Sequence, residues 1–227
     1  MNVVEFVKKE LVEFTGLSRD LVDIYVKREK YPNFNEEWKF WKPDSNDNIR
    51  WFYISSRGYL FGNAIHFLAK DVLDDIKKGS SVLDFGGGSG NYSFELHEKG
   101  CKMYFFDINI LQKEFVKYVS KKYNFDITIC ESDSNFYPIL QSKVDNIIAL
   151  DVLEHVPNYH KYIEMFSKNL NSGGFVYLFA PFGKSNANLM HLEDTVRLNK
   201  VLKDNGFVYC KSLNLHNIAQ CLVFKIN

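Results

Sequence analysis

Apolar positions along the chain fall into two rhythms. Residues 2–15 place Val3, Val4, Phe6, Val7, Leu11, Val12 and Phe14 at spacings of three and four, which predicts an amphipathic helix ended by Gly16. Ser18 then caps a second helix holding Leu21, Val22, Ile24, Tyr25 and Val26, with Pro32 at its end. Residues 33–48 are polar and aromatic, with Pro43 and the run Asp44-Ser-Asn-Asp-Asn48, and read as a loop. A helix is expected over 63–76, with Ala64, Phe67, Leu68, Val72 and Leu73 on its buried side.

Beyond that point short apolar runs alternate with helical patterns. Strands are expected at 81–85, 102–106, 127–130, 145–150, 174–180, 206–212 and 219–226, and helices near 91–99, 110–123, 159–169 and 192–204. Alternating β and α elements predict an α/β, doubly wound sheet. The short connection at 214–217 makes the last two strands an antiparallel pair at one edge. Residues 1–78 are expected to form a helical, aromatic-rich cap on a sheet domain spanning 79–227.

The stretch Ser80-Ser-Val-Leu-Asp-Phe-Gly-Gly-Gly-Ser-Gly90 reads as strand, glycine turn and helix start. Glycine permits positive φ and lets a ligand approach bare backbone, while the helix start offers unpaired N–H groups. Such a turn holds a nucleotide-like or otherwise polar ligand at the carboxyl end of a parallel strand. The next apolar run, Lys102–Phe106, ends in Asp107, about 20 residues beyond the first glycine, where an acid can accept from a ribose diol. The dinucleotide fingerprint is incomplete, because Asn91 stands where its third glycine belongs. The pattern here is Asp84-x-Gly86-x-Gly88-x-Gly90.

That pattern resembles the first motif of the class I S-adenosylmethionine-dependent methyltransferases. The resemblance continues through Asp133 in Cys130–Ser134, the run Val144–Leu150, the segment Asp151-Val-Leu-Glu-His-Val-Pro157 and the turn Leu170-Asn-Ser-Gly-Gly174. It covers residues 80–227 and departs from the family at Val144, where Phe is common. It implies a Rossmann-like seven-stranded sheet of order 3-2-1-4-5-7-6 with the last strand antiparallel. It also implies S-adenosylmethionine as cofactor, S-adenosylhomocysteine as product and no metal.

Residue by residue, the resemblance sets Asp84 near the methionine amino group and Gly86, Gly88 and Gly90 against the cofactor. Asp107 takes both ribose hydroxyls, Ile108 packs on adenine, Asp133 accepts from the adenine amine, and Ser134 adds a backbone contact. Leu150 and Asp151 line the methionine end. Three groups stand as alternative bases. His155 in the Asp151–Val156 segment and His191 after the fifth strand have reference pKa values near neutrality; Asp151 is the third. His155 is equally readable as a loop-orienting residue, and His191 as a helix cap or surface group. His66, His97, His160 and His216 read as structural or solvated, and no pair of histidines shows metal-ligand spacing in sequence.

All three tryptophans fall between residues 38 and 51, within the group Trp38, Phe40, Trp41, Trp51, Phe52, Tyr53, Tyr59 and Phe61. This group is either a packed cap core or an aromatic lid over the pocket, with Trp51, Tyr53 and Tyr59 toward substrate. Arg57 in the same stretch is a candidate partner for the cofactor carboxylate or for an acidic group on the substrate, or else a surface ion pair.

Composition narrows the choice of substrate. The 227 residues carry 28 basic and 28 acidic side chains, a net charge of zero, which argues against a nucleic-acid partner. Cys101, Cys130, Cys210 and Cys221 form no CxxC pair and read as reduced thiols. Charged residues interrupt the first ten positions as they would not in a signal peptide, and no apolar run approaches the ~20 residues of a membrane span. The expectation is a cytoplasmic enzyme, monomeric or homodimeric, that methylates O or N of a small metabolite without membrane contact. Open alternatives are a peptide or tRNA methyltransferase, a non-catalytic cofactor-binding subunit and an NAD-dependent oxidoreductase.

Overall fold

The computed structural model describes residues 2–27, 34–62, 64, 68–183, 189–194, 196–216 and 219–227. Among the described residues, six α-helices precede the sheet: α1 (Val3–Thr15), α2 (Arg19–Val26), α3 (Phe34–Trp41), α4 (Asn46–Ser55), α5 (Gly58–Gly62) and α6 (Lys70–Asp75). Then follow β1 (Ser81–Phe85), α7 (Asn91–Glu98), β2 (Lys102–Phe106), α8 (Ile110–Tyr123), β3 (Ile127–Ile129) and β4 (Val144–Leu150). The chain closes with α9 (Tyr159–Asn169), β5 (Leu170–Phe179), α10 (Leu198–Asp204), β6 (Phe207–His216) and β7 (Ala219–Ile226).

The seven strands lie in the order β3-β2-β1-β4-β5-β7-β6, as the resemblance implied. The first five are parallel, and β7 runs antiparallel to both β5 and β6. Side chains alternate between two cores. Val82, Met103, Phe105 and Ile148 face one layer together with Phe94, Phe115 and Val116 of α7 and α8. Leu83, Phe85, Tyr104, Phe106, Ile147 and Ala149 face the other, against Ile163 and Phe166 of α9. Both faces are covered, which is why these strands read as continuous apolar runs.

Helices α1 and α2 join the first layer through Val3, Val7, Leu11, Val22 and Val26. Asn2 and Ser18 cap them, and Gly16 turns between them at φ 70°. Glu10, wholly buried, accepts from Lys122 Nζ at 2.8 Å and from the Tyr123 hydroxyl at 2.6 Å, fixing α1 on the end of α8.

Four expectations need correction. Residues 33–48 are not a loop: α3 and the start of α4 occupy most of them. Ser45, counted as a loop residue, accepts from the Asn48 N–H as the N-cap of α4, because residues that compete with helix interiors are the ones that begin helices. The helix expected over 63–76 is broken at 68–69: before the break only Ala64 is described, in 3-10 form, and α6 begins at Lys70. The Tyr92 hydroxyl accepts from the Ala69 N–H at 2.9 Å, and Ala69 is extended. The helix expected from 192 is α10, which starts at Leu198, where Asp194 accepts from the Leu198 N–H. Finally, β5 starts at Leu170 rather than 174, and β6 runs on to His216, so 214–217 is mostly strand. Pro32, Phe67 and His66 lie outside the described residues.

Removing the α1 anchor tests how far that helix belongs to the core. Leu11→Ala is expected to lower unfolding stability by about 2–5 kcal/mol, measured by urea titration; a change within about 0.5 kcal/mol would mean that α1 packs loosely.

Candidate active site

The strand order reverses between β1 and β4, and at such a point a doubly wound sheet has its ligand crevice beyond the carboxyl ends of the strands, here β1, β2 and β4. Three segments meet there: the glycine turn after β1, Asp107 after β2 and the stretch from Asp151 after β4.

The turn is built on bare backbone. Gly86, Gly88 and Gly90 take φ of 69°, 56° and 79°, a region that L side chains rarely adopt. A Cβ on Gly86 would lie 2.5 Å from Val152 Cγ2, and one on Gly90 would lie 2.8 Å from Val116 Cγ2. The β4 segment and α8 therefore press against the turn. The Gly86 and Gly87 N–H groups donate to the Phe106 carbonyl at 2.8 and 3.2 Å. Asp107 completes the join, accepting from Gly88 N–H at 3.0 Å and from Asn109 N–H at 2.8 Å.

Asp84 and Asp107 are both buried. Burial pushes the Asp84 carboxyl up to about 6, against a 2.7 Å hydrogen bond from Ser93 Oγ. Burial pushes Asp107 up to about 7, opposed by its two backbone donors and helped by the charge of Asp84. Neither acid has a salt-bridge partner among the described residues, so little opposes the cost of burying its charge. A carboxylate has about four acceptor positions, so Asp107 keeps two after its backbone bonds.

Side chains of this motif hold the cap by its main chain. Asn109 Nδ2 donates to the Tyr53 and Ser56 carbonyls, both at 2.8 Å, and Gln112 Nε2 donates to the Tyr59 carbonyl at 3.1 Å. Ser89 Oγ donates to the Leu60 carbonyl at 3.0 Å. The aromatic group splits accordingly. Phe52 is wholly buried, with Trp38, Trp41, Tyr53 and Tyr59 around it at ring separations of 5.2–6.2 Å. Trp51 and Phe40 point outward, 58% and 86% exposed.

Tyr53 carries the ring series into the crevice. Its hydroxyl sits 3.0 Å from His155 Nδ1, and the His155 ring lies 4.8 Å from that of His191. Burial raises the Tyr53 pKa, so it stays a phenol. His155 belongs to a single 3-10 turn, Leu153–His155, and His191 to a segment tied to it by the Leu192 N–H donating to the Glu154 carbonyl at 2.7 Å. Asp151 takes φ 59° as its N–H donates to the Phe179 carbonyl. Asp151, Glu154, His155 and His191 each present a ligand-type atom, all within 4.8 Å of one another. Sequence spacing does not reveal this pairing, because His155 and His191 come from different segments.

Ile108 and Leu150 are half-buried at their strand ends. Asp133 is exposed, and its Oδ1 closes a turn by accepting from the Asn135 and Tyr137 N–H groups at 2.8 and 3.0 Å. Ser134 beside it is exposed. Arg57 is exposed too, its carbonyl accepting from Leu60 N–H. Of the loop before His191, residues 184–188 lie outside the described set. Sequence reasoning passed over Glu154, Ser93, Asn109 and Gln112. Glu154 was visible only as part of a motif, and the other three are polar residues on or beside helices whose burial a single sequence does not show.

A family model described as a methyltransferase domain matches residues 53–221. The chain belongs to the class I methyltransferase family. Pavine N-methyltransferase of Thalictrum flavum subsp. glaucum is 27% identical over 113 residues, which cover 45% of this chain and 30% of that enzyme, so less than a third of that relative is spanned. Among solved structures, the N-methyltransferase NodS of Bradyrhizobium japonicum WM9, in complex with S-adenosylhomocysteine, aligns with a TM-score of 0.54 at 16% identity over 66% of this chain and 79% of that one. PH0226 protein of Pyrococcus horikoshii OT3 aligns with a TM-score of 0.60 at 16% identity, covering 86% of this methyltransferase-family chain and 100% of its own. At these identities the structures show the shared fold.

The buried acids set a pH dependence. Between the ordinary 3.8 and about 7, folded Asp107 holds a proton that the unfolded chain has released; Asp84 does so up to about 6. The folded state binds more protons across that window, so this contribution to stability is lost as pH rises through it, by on the order of 3 kcal/mol per carboxyl. Urea midpoints of the ligand-free chain at about pH 5 and about pH 8 are expected to show the loss, with a smaller one in Asp107→Asn. Identical slopes in the two proteins would mean that Asp107 titrates normally.

Proposed function

We propose that the protein is an S-adenosylmethionine-dependent methyltransferase that acts on an O or N atom of a small metabolite. One observation carries the reading: a glycine turn of bare backbone is joined through Asp107 to a crevice whose far wall holds His155 and His191. The donor set fits the cofactor. Asp84 and Asp107 are buried acids whose charge a methionine ammonium and a ribose diol would stabilise. Gly86, Gly88 and Gly90 leave backbone for the cofactor to lie against. The bound cofactor supplies a methyl group on a sulfonium, activated for in-line transfer to a lone pair.

The chain's own task is then placement, and effective molarity from placement alone is worth on the order of 7–11 kcal/mol of barrier. Tyr53 and Tyr59, facing His155 and Met190, form the apolar wall beside the acceptor. His155, with its Nδ1 beside the Tyr53 hydroxyl, His191 and Asp151 are the groups near enough to one another to receive an acceptor proton. Asp133 and Ser134 would border the adenine, Ile108 would pack on it, and Leu150 would line the methionine end.

The balanced charge supports a small acceptor over a nucleic acid. The four cysteines are free, which fits a reducing, cytoplasmic setting; among the described residues no helix is long and apolar enough to cross a membrane.

Calorimetric titration with S-adenosylmethionine, S-adenosylhomocysteine and NAD tests the reading. Both sulfur nucleosides are expected to bind, with at least about a tenfold loss in Asp107→Ala, equivalent to about 1.4 kcal/mol. Affinity should also rise as pH passes about 7, since an ionised Asp107 accepts two hydroxyls where a protonated one does not. Binding of NAD alone would overturn the proposal. Cofactor binding without turnover on any metabolite pool would point instead to a cofactor-binding subunit.

A further inference from the structure

The mechanism above uses His155, His191 and Asp151 and leaves Glu154 without a task. Glu154 is wholly buried, and neither of its carboxylate oxygens accepts a well-formed hydrogen bond among the described residues. A buried carboxylate with no donor is costly, and a second carboxylate beside it adds repulsion. Such a pair is tolerable if it shares a proton or holds a cation.

We infer that Asp151, Glu154, His155 and His191 form a binding site for a divalent first-row metal ion. The four groups offer two imidazole nitrogens and two carboxylate oxygens, all within 4.8 Å of one another. Opposite ligands of one ion at about 2.0–2.2 Å each stand about 4.0–4.4 Å apart, so small side-chain rotations close the set. Mixed imidazole and carboxylate donors suit manganese, iron or zinc better than magnesium or copper(I).

The surroundings fit a metal centre. The Tyr53 oxygen lies 3.0 Å from His155 Nδ1 and can accept a hydrogen bond from its N–H, which leaves Nε2, 4.0 Å from Glu154 Oε1, as the ligand atom. A ligating histidine characteristically gives its other N–H to such a partner. The main chain fixes the separate segments: the Leu192 N–H bonds the Glu154 carbonyl, and the Asp151 N–H bonds that of Phe179.

The consequence for chemistry rests on the methyltransferase reading and changes one part of it: with an ion bound, His155, His191 and Asp151 serve as ligands rather than as proton acceptors. Four protein ligands leave room on a five- or six-coordinate ion for an acceptor oxygen, whose hydroxyl pKa the ion lowers. The hydroxyl proton passes to water, the oxygen lone pair forms the new O–C bond, and the pair of the broken S–C bond stays on sulfur. The acceptor is then an alcohol or phenol rather than an amine.

The test uses the full chain, stripped with a chelator, desalted and titrated with MnCl2 while free Mn2+ is followed by electron paramagnetic resonance. One ion per chain is expected, with a raised melting temperature. Glu154→Gln and His191→Ala should each weaken binding by at least about tenfold. Glu154→Gln without metal should melt no lower than the wild type, since it removes a buried acid that has no donor. Titration with S-adenosylhomocysteine runs in parallel. Variants that bind it normally are folded, and loss of Mn2+ alone supports the site. Wild-type chain that takes Mn2+ but no sulfur nucleoside would sink the methyltransferase reading and leave the ion site standing. Should both variants fail to fold, spin-echo spectra of the wild-type Mn2+ complex decide: nitrogen coupling from imidazole supports the site, and coupling to water alone overturns it. Absence of stoichiometric Mn2+, or equal affinity in folded variants, would also overturn it and leave Asp151 and Glu154 sharing a proton.

Discussion

The hydrogen bond from the Gly88 N–H to Asp107 is the hinge of the architecture. It joins the turn after β1 to the end of β2, and the turn leaves so little room that Val152 packs on it from the β4 side. Three strand ends are thereby held in one place. A side chain at Gly86 would push the β4 segment away, and with it the 3-10 turn that carries Glu154 and His155. The crevice is thus a property of backbone proximity before it is a property of any reactive group.

Charge is handled differently at the two ends of that crevice. Asp84 and Asp107 have partial satisfaction from Ser93 and from backbone amides, and they keep spare acceptor positions. Glu154 is buried with no well-formed hydrogen bond to its carboxylate among the described residues. The first pair suits a ligand bearing hydroxyls and an ammonium; the second suits a proton or a metal ion. Both are paid for by the large core beneath them, in which β1, β2 and β4 are packed on both faces.

The sheet was legible because strands covered on both sides must be continuously apolar, and Val82–Phe85, Met103–Phe106 and Asn146–Leu150 nearly are. The glycine turn and Asp107 were legible because positive φ and a strand-end acid leave marks at fixed spacing. The residues after Pro43 were misread for a reason of chemistry: Ser45 caps a helix with the same side-chain oxygen that would otherwise organise a turn. Asp133 was visible as an acid after the third strand, yet its local role, holding Asn135 and Tyr137, leaves no trace in spacing. The meeting of His155 with His191 was invisible because it depends on how a loop after β5 folds back. The isolation of Glu154 was invisible because a sequence records which groups are present and not which donors fail to reach them.

The cap is gripped by its carbonyl oxygens. Asn109, Gln112 and Ser89 bind the main chain at Tyr53, Ser56, Tyr59 and Leu60, and none of these bonds requires a particular side chain there. Recognition of the scaffold and recognition of a small molecule are therefore written in separate atoms of the same residues. The main-chain bonds that seat the cap would survive a change of ring at residues 53 and 59, so a lineage carrying this arrangement can explore new acceptors without first having to relearn how to close.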